Sequence, residues 1–138
     1  MTRILVVDDS RTQAEEARFI LESADYLVEV AVSGDAALER LRAGGIDLVV
    51  SDIVMPDLTG YDLCRQAKAD AATRHVPIVL LTSLSDPLDV IQALECGADG
   101  FITKGSPPEH LVHRVRTTLE NRRLRAESPA EALLLDLA

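Results

Sequence analysis

The sequence predicts an α/β fold, a doubly wound three-layer sandwich in which five parallel strands alternate with helices. Three observations support this prediction. Short aliphatic runs recur along the 138 residues, segments with helical spacing of apolar residues lie between them, and three runs (ILVV, IDLVV and PIVLL) show no polar alternation. Strands of that last kind are covered on both faces, as in a parallel sheet with helical crossovers.

The five aliphatic runs are the predicted strands. They cover residues 3–7, 27–32, 46–51, 76–81 and 100–103. The second run contains Glu29, and a charged residue in mid-strand indicates a position near an edge of the sheet. A helical segment follows each run, so the predicted order is (βα)₅.

Capping residues mark the ends of the helical segments. Ser10 and Gln13 predict a capping box at the start of the first segment. The second covers about 34–43 and ends at a glycine pair, and the third covers about 60–71. The apolar face of the first segment consists of Ala14, Ala17, Leu21 and Ala24.

The last two helical segments carry similar signals. Asp86-Pro87 begins the fourth segment and Gly97 ends it. Ser106 and Glu109 form a predicted capping box for the fifth. The apolar stripe of the fifth segment consists of Leu111, Val115 and Leu119.

Length and charge limit the class of protein. The chain fits one domain, and its 47% of hydrophobic residues can fill a core without disulfides, so Cys64 and Cys96 are expected as reduced, buried thiols. The net charge of −9 argues against direct binding of nucleic acid. No run approaches the ~18 apolar residues of a membrane span, and no signal peptide is evident, so we expect a cytoplasmic protein without membrane insertion.

The end of the chain differs in character. We interpret residues 1–125 as the domain and residues 126–138, which are rich in Ala and Leu, as a tail. The tail begins a linker or an output domain, folds back, or packs on a neighbouring chain. The arginines before it form either a solvated helix face or a docking surface for an acidic partner. They are Arg114, Arg116, Arg122, Arg123 and Arg125.

Polar side chains follow four of the five predicted strands. In chain order they are Asp8, Asp9, Asp52, Thr82, Ser83 and Lys104. Because ligands of open parallel sheets lie beyond the carboxyl ends of the strands, these side chains should converge on one edge. Three adjacent carboxylates repel one another unless a cation intervenes, and hard oxygen ligands favour Mg²⁺. A metal, a lysine and a hydroxyl together suit the charge of a phosphoryl group, so the pattern indicates a phosphoryl-transfer site.

Four motifs then resemble those of response-regulator receiver domains, the phosphoacceptor modules of two-component signalling. They are VVDDS at 6–10, SDIVMPDLTG at 51–60, LLTS at 80–83 and GADGFITK at 97–104. The resemblance covers residues 3 to about 120. It implies the flavodoxin-like strand order 2-1-3-4-5.

The resemblance also implies roles at the site. Asp52 would receive a phosphoryl group from a phosphohistidine on a histidine kinase or a histidine phosphotransfer protein. Asp9, Asp52 and the backbone carbonyl of Val54 would bind Mg²⁺ directly, and Asp8 would bind it mainly through water. Thr82, Ser83 and Lys104 would contact the phosphoryl group. The domain would be a signalling module and not an enzyme, apart from its own phosphorylation and slow dephosphorylation.

The implied output is a switch of surface. Thr82 would move towards the phosphoryl group, and the rotamer of Phe101 would report the movement. The face formed by the fourth helix, fifth strand and fifth helix would then change partners. That face and the tail are the candidate surfaces for a homodimer.

Gly105 departs from the family pattern, which usually has a proline, often after a cis peptide bond, at this position. A cis bond before a non-proline residue costs about 2.5–4 kcal/mol. We therefore expect either a trans bond with Gly105 absorbing the turn or a displaced loop, and a Lys104 that is less firmly placed.

Two apolar residues flank the predicted site, Val54 and Leu84. Neither offers a polar group to orient an attacking water. We therefore predict slow self-dephosphorylation.

Other classes of protein remain as alternatives. A Mg²⁺-dependent phosphatase with an aspartyl nucleophile would want Asp-x-Asp after its first strand and a cap domain, whereas this chain has Asp8-Asp9. No phosphate-binding glycine loop is present, which disfavours a nucleotide-binding protein. A phosphorylation-independent scaffold is disfavoured by the complete set of site residues, although Gly105 keeps it open.

Overall fold

The computed structural model describes residues 1–83, 91–92 and 94–127, the last five of these by their backbone only. The strands are β1 (Arg3–Val7), β2 (Leu27–Ala31), β3 (Leu48–Asp52), β4 (Ile78–Thr82) and β5 (Gly100–Thr103). The helices are α1 (Arg11–Glu22), α2 (Gly34–Arg42), α3 (Gly60–Ala69) and a C-terminal helix (Pro108–Glu127).

Part of the predicted fourth helix can be compared with the structure. Residues 91–92 and 94–95 are helical. The predicted start at Asp86-Pro87 lies outside the described residues, as do Leu84 and the tail from residue 128 onwards. Within the part of the chain that the structure describes, no helix is long and apolar enough to cross a bilayer.

All strand pairs are parallel, and the sheet has the order β2-β1-β3-β4-β5, as predicted. β2 therefore lies at an edge, in agreement with the interpretation of Glu29. The Glu29 carboxylate accepts hydrogen bonds from Arg40 Nε (2.7 Å) and Nη2 (2.9 Å) and lies 3.2 Å from Arg3 Nε. These guanidinium groups lower the pKa of Glu29.

The sheet is covered on both faces, which explains the uninterrupted apolar runs. On one face Leu5, Val49 and Leu80 pack against α2 and α3 through Leu38 and Leu63. On the other face the next residues along the strands pack against α1 and the C-terminal helix. Those residues are Ile4, Val6, Val50 and Val79, which contact Ala14, Leu21, Leu111 and Val115. Cys64 and Cys96 form no disulfide and are buried, as expected, and burial raises the pKa of the Cys64 thiol.

The third and fourth strands lie further along the chain than predicted. β4 begins at Ile78 because the Val76 N–H donates to Thr73 O in a turn (3.0 Å) and Pro77 has no N–H. At their other ends these strands extend to Asp52 and Thr82. Both polar residues are thus part of the sheet's hydrogen-bonded framework, and their positions are fixed by it.

The start of α1 agrees with the prediction only in part. The first half of the α1 capping box is present, since Ser10 Oγ accepts from the Gln13 N–H (3.4 Å). The predicted second half is wrong, because the Ser10 N–H donates to Asp8 Oδ1 (2.9 Å). Thr59 and Asp62, by contrast, form a complete capping box at the start of α3. The helices also end earlier than expected, so that Ala24 and Ala71 lie beyond α1 and α3.

Lys68 at the end of α3 binds the amino ends of β4 and β5, at the end of the sheet opposite to the site. Its Nζ donates to Val76 O (3.0 Å) and to Asp99 Oδ2 (2.9 Å), and the same carboxylate oxygen accepts from the Ile78 N–H (2.7 Å).

We expect Lys68→Met to lower the free energy of unfolding by about 1–3 kcal/mol, because it leaves Val76 O and the Asp99 carboxylate without their cation. Urea denaturation measures this loss.

Arg65→Met on the same helix is the matched control. Arg65 makes an exposed ion pair with Asp62 at 3.4 Å, which is worth roughly 0.2–1 kcal/mol. Equal losses in the two variants would contradict the role given to Lys68.

Candidate functional site

The carboxyl ends of the parallel strands place the predicted site residues at one edge of the sheet. β1 leads directly into Asp8 and Asp9, and β3 ends at Asp52. β4 ends at Thr82, which pairs in register with Thr103 of β5, one residue before Lys104. The roles assigned to these residues remain predictions, but the structure brings them together.

Three carboxylates form the centre of the site. One oxygen from each of Asp8, Asp9 and Asp52 lies within 4.8 Å of the others. Asp8 and Asp52 are only 3% and 6% exposed, whereas Asp9 is exposed. An all-oxygen cluster open to solvent on one side is a donor set that a hard divalent cation such as Mg²⁺ prefers.

The pKa of Asp8 reflects this crowding. Burial raises it most, and the negative charges of Asp52 and Asp9 raise it further. The Ser10 N–H and the Lys104 ammonium act in the opposite direction but do not compensate, so the pKa lies above its ordinary value. At neutral pH an ionised Asp8 therefore costs folding free energy.

Lys104 is firmly held, contrary to our expectation. Its Nζ lies 2.8 Å from Asp52 Oδ1 and donates to Gln13 Oε1 (3.1 Å), and its backbone N–H donates to Thr82 O (2.6 Å). The described residues contain no cis peptide bond, and Gly105 has φ of +84°. The prediction that Gly105 absorbs the turn after a trans bond is thus confirmed, since glycine adopts positive φ without steric cost.

The segment after Asp52 is tightly shaped. The Ile53 N–H donates to Asp52 Oδ1 (2.8 Å), and the Gly60 N–H donates to Ile53 O (2.8 Å). A Cβ at Gly60 would overlap the backbone oxygen of Asp52, so any larger residue there would push the end of β3. Val54 is 77% exposed between the buried Ile53 and Met55.

The predicted switch residues lie on the two strands next to the site. Thr82 is buried and Ser83 is exposed. Phe101 is half-buried and packs against the core cluster that contains Leu80, its partner in the β4–β5 register. Leu84, the second residue invoked for phosphoryl lifetime, is outside the described range.

Gln13 is a site residue that the sequence reasoning assigned elsewhere. We predicted that its side chain would cap α1, but its amide oxygen accepts from Lys104 instead. The Ser10 N–H donates to Asp8, so it does not need Gln13 as an acceptor, and the Gln13 side chain can bind Lys104. No signal in a single sequence distinguishes these two uses of a glutamine.

Comparisons with known proteins agree with this geometry. A family model described as the response regulator receiver domain matches residues 4–116. The DNA-binding response regulator MtrA of Mycolicibacterium paratuberculosis is 41% identical over 131 residues, 95% of this chain and 56% of MtrA. The sensory transduction protein RegX3 of Mycobacterium bovis is 32% identical over 119 residues, 86% of this chain and 51% of RegX3. The chain therefore spans about half the length of these curated relatives.

Solved structures show the same similarity. The signal receiver domain of a histidine kinase from Syntrophus aciditrophicus superimposes with a TM-score of 0.82 and is 44% identical. The match covers 88% of this chain and 92% of that one. The chemotaxis response regulator CheY4 of Vibrio cholerae gives a TM-score of 0.80 at 29% identity, over 86% of this chain and 98% of that one.

The crowded carboxylates give a stability prediction. We expect Asp8→Asn to raise the free energy of unfolding at pH 7 without divalent cations, by on the order of 1 kcal/mol. The amide keeps an oxygen for the Ser10 N–H but removes the ionised carboxylate. Since the pKa of Asp8 is raised, its unfavourable contribution is present above that pKa and disappears as the pH falls through it, so the two proteins should converge in acid. Urea titrations across pH measure this.

Asp25→Asn, an exposed turn position with φ of +70°, is the matched control and should change stability little. A loss of stability in Asp8→Asn at pH 7 would contradict the prediction.

Proposed function

The chain belongs to the response regulator receiver domain family of two-component signalling, and on that premise we propose that it is a phosphoacceptor. Asp52 takes a phosphoryl group from a phosphohistidine on a histidine kinase or histidine phosphotransfer protein. The observation that carries the proposal is the placement of Lys104 Nζ 2.8 Å from Asp52, within a cluster of three carboxylates.

The donor set fits Mg²⁺. Three carboxylates face one ammonium, so the site carries excess negative charge that a divalent cation would neutralise. Asp9, Asp52 and the Val54 carbonyl would bind the ion directly, and Asp8 would act mainly through water. When bound, Mg²⁺ supplies charge neutralisation for the oxygens of the entering phosphoryl group.

The residues of the chain divide the work of transfer. Ile53 N–H and Lys104 Nζ both contact Oδ1 of Asp52, which leaves Oδ2 for attack on phosphorus. The new O–P bond forms as the P–N bond to the donor imidazole breaks, and the imidazole retains the bonding electron pair. Lys104, Thr82 and Ser83 then contact the phosphoryl oxygens.

Phosphorylation adds about −1.5 to −2 charges to a site whose carboxylates already repel one another. Thr82 closes towards the phosphoryl group, Phe101 moves with it, and the surface of the fourth helix, β5 and the C-terminal helix changes its partners. That surface, or the tail at 126–138, is where a homodimer would form. In this proposal residues 1–125 form the domain, and the tail begins a linker or an output domain.

Nucleic acid is not a proposed ligand of this domain. The relative MtrA is named as DNA-binding, and the match covers 56% of it. The net charge of −9 argues against a DNA surface on the chain itself.

Intact-mass analysis tests the acceptor. We expect the full chain to gain a single phosphoryl adduct when it is incubated with Mg²⁺ and acetyl phosphate. The adduct should be absent without Mg²⁺, because the cation is missing, and absent in Asp52→Asn, because the nucleophile is missing. It should still form in Asp25→Asn. A folded wild-type chain that reacts neither with acetyl phosphate nor with a phosphohistidine donor would overturn the proposal.

The lifetime of the adduct is a separate prediction. The side chain of Val54, two residues after Asp52 along the chain, is apolar and exposed, so it cannot orient a water molecule for attack. We expect a phosphoryl half-life of minutes or longer with Mg²⁺ present and a shorter one in Val54→Asn, whose amide can bind water. A half-life of seconds in the wild type would contradict this.

A further inference from the structure

The acceptor loop, residues 53–59 between β3 and α3, is attached to a helix that takes no other part in the site. The loop passes over the N-terminus of α2, which begins at Gly34 after Ser33. α2 carries none of the predicted site residues. Contacts between the loop and α2 therefore need their own explanation.

Asp57 makes the polar part of this attachment. Its Oδ1 accepts from the Gly34 N–H (3.1 Å) and its Oδ2 accepts from the Asp35 N–H (2.8 Å). These are the first two N–H groups of α2, which have no partner within a helix. The bonds and the positive end of the helix dipole favour the carboxylate, and the Asp35 and Gly34 N–H groups lower the pKa of Asp57.

Ser33 supplies the ordinary cap of the same helix. Its Oγ accepts from the Ala36 N–H (3.1 Å), as a helix N-cap usually does. α2 therefore has two caps of different origin. Ser33 belongs to the helix itself, whereas Asp57 reaches it from a loop 22 residues further along the chain.

Leu58 makes the apolar part of the attachment. A Cβ at Gly34 would overlap the Leu58 side chain, so the absence of a side chain at Gly34 lets the loop lie directly on the helix. Asp57 and Leu58 thus fix neighbouring loop positions to the first turn of α2. The other end of the loop is fixed by the bond from the Gly60 N–H to Ile53 O.

Val54 lies between these fixed points. Its side chain is 77% exposed, and its neighbours Ile53 and Met55 are 9% and 7% exposed, so only the backbone path of the loop determines where the Val54 carbonyl points. A ligand on a loop holds its direction only if the loop cannot rotate.

We propose that Asp57 is a positioning residue for the cation site. By binding the first turn of α2 it fixes the acceptor loop and thereby the direction of the Val54 carbonyl. This inference rests on the proposed function, since it assumes that the carbonyl is a ligand of Mg²⁺. Asp57 itself does not touch the cation or the phosphoryl group.

Mg²⁺ binding to the full chain, measured by calorimetry without any phosphoryl donor, tests the proposal. We expect Asp57→Ala to weaken Mg²⁺ binding by about tenfold, the usual effect of losing a group that orients a metal ligand. Ser33→Ala is the matched control, because it removes the other cap of the same helix without touching the loop. It should lower the urea midpoint as much as Asp57→Ala does and leave Mg²⁺ affinity within about twofold of the wild type.

Two further variants separate positioning from folding. Asp57→Asn keeps one acceptor oxygen and should give an intermediate affinity for Mg²⁺. This variant replaces Asp57→Ala in the test if Asp57→Ala does not fold. Gly34→Ala perturbs the contact from the α2 side by displacing Leu58, while alanine favours the helix itself. It should weaken Mg²⁺ binding although α2 is not destabilised.

The possible failures are distinguishable. Unchanged Mg²⁺ affinity in folded Asp57→Ala and Asp57→Asn, or an equal loss in Ser33→Ala, would overturn the positioning role and leave Asp57 as a structural cap. A wild-type chain that binds no Mg²⁺ would overturn the cation site of the proposed function, and with it this inference.

Discussion

Three carboxylates share the charge of one ammonium at the carboxyl edge of the sheet, and much of the surrounding structure is arranged to hold that unfavourable group together. Lys104 lies against Asp52, and the Ile53 and Ser10 N–H groups donate to Asp52 and Asp8. The raised pKa of Asp8 shows that these contacts are not sufficient by themselves. A stable fold thus carries a local region of repulsion, which a bound cation would relieve.

The parallel sheet is what makes such a cluster possible. Because both faces of the central strands β1, β3 and β4 are buried, their positions are fixed by the packing of aliphatic side chains from α1, α2, α3 and the C-terminal helix. Asp52 and Thr82 are the last residues of buried strands, so their backbones are held by that packing together with the hydrogen bonds of the sheet. The packing of the core therefore offsets the free-energy cost of placing repelling carboxylates at the carboxyl ends of the strands.

The parallel sheet, its two apolar faces and the convergence of the site residues could be predicted, because each follows from periodicity or from the geometry of parallel strands. The strand order could be predicted only from the resemblance to receiver domains. The uses of Gln13 and Asp57 could not be predicted, since both depend on which hydrogen-bond donor lies nearest in three dimensions. Ser10 shows the difficulty: its spacing to Gln13 is that of a capping box, but Asp8 competes for its N–H. The start of β4 was missed because Val76 and Pro77 are as apolar as the strand but belong to a turn.

The ion pairs of Glu29 on the edge strand β2 affect whether copies of the molecule can associate through their sheets. An edge strand offers unpaired backbone groups to which a second sheet could add, which leads to aggregation. Glu29, with Arg3 and Arg40 around it, places a desolvation cost on the approach of another strand. Under the proposed function the domain exchanges partners on one surface, and these charges would keep it from associating through the edge of its sheet instead.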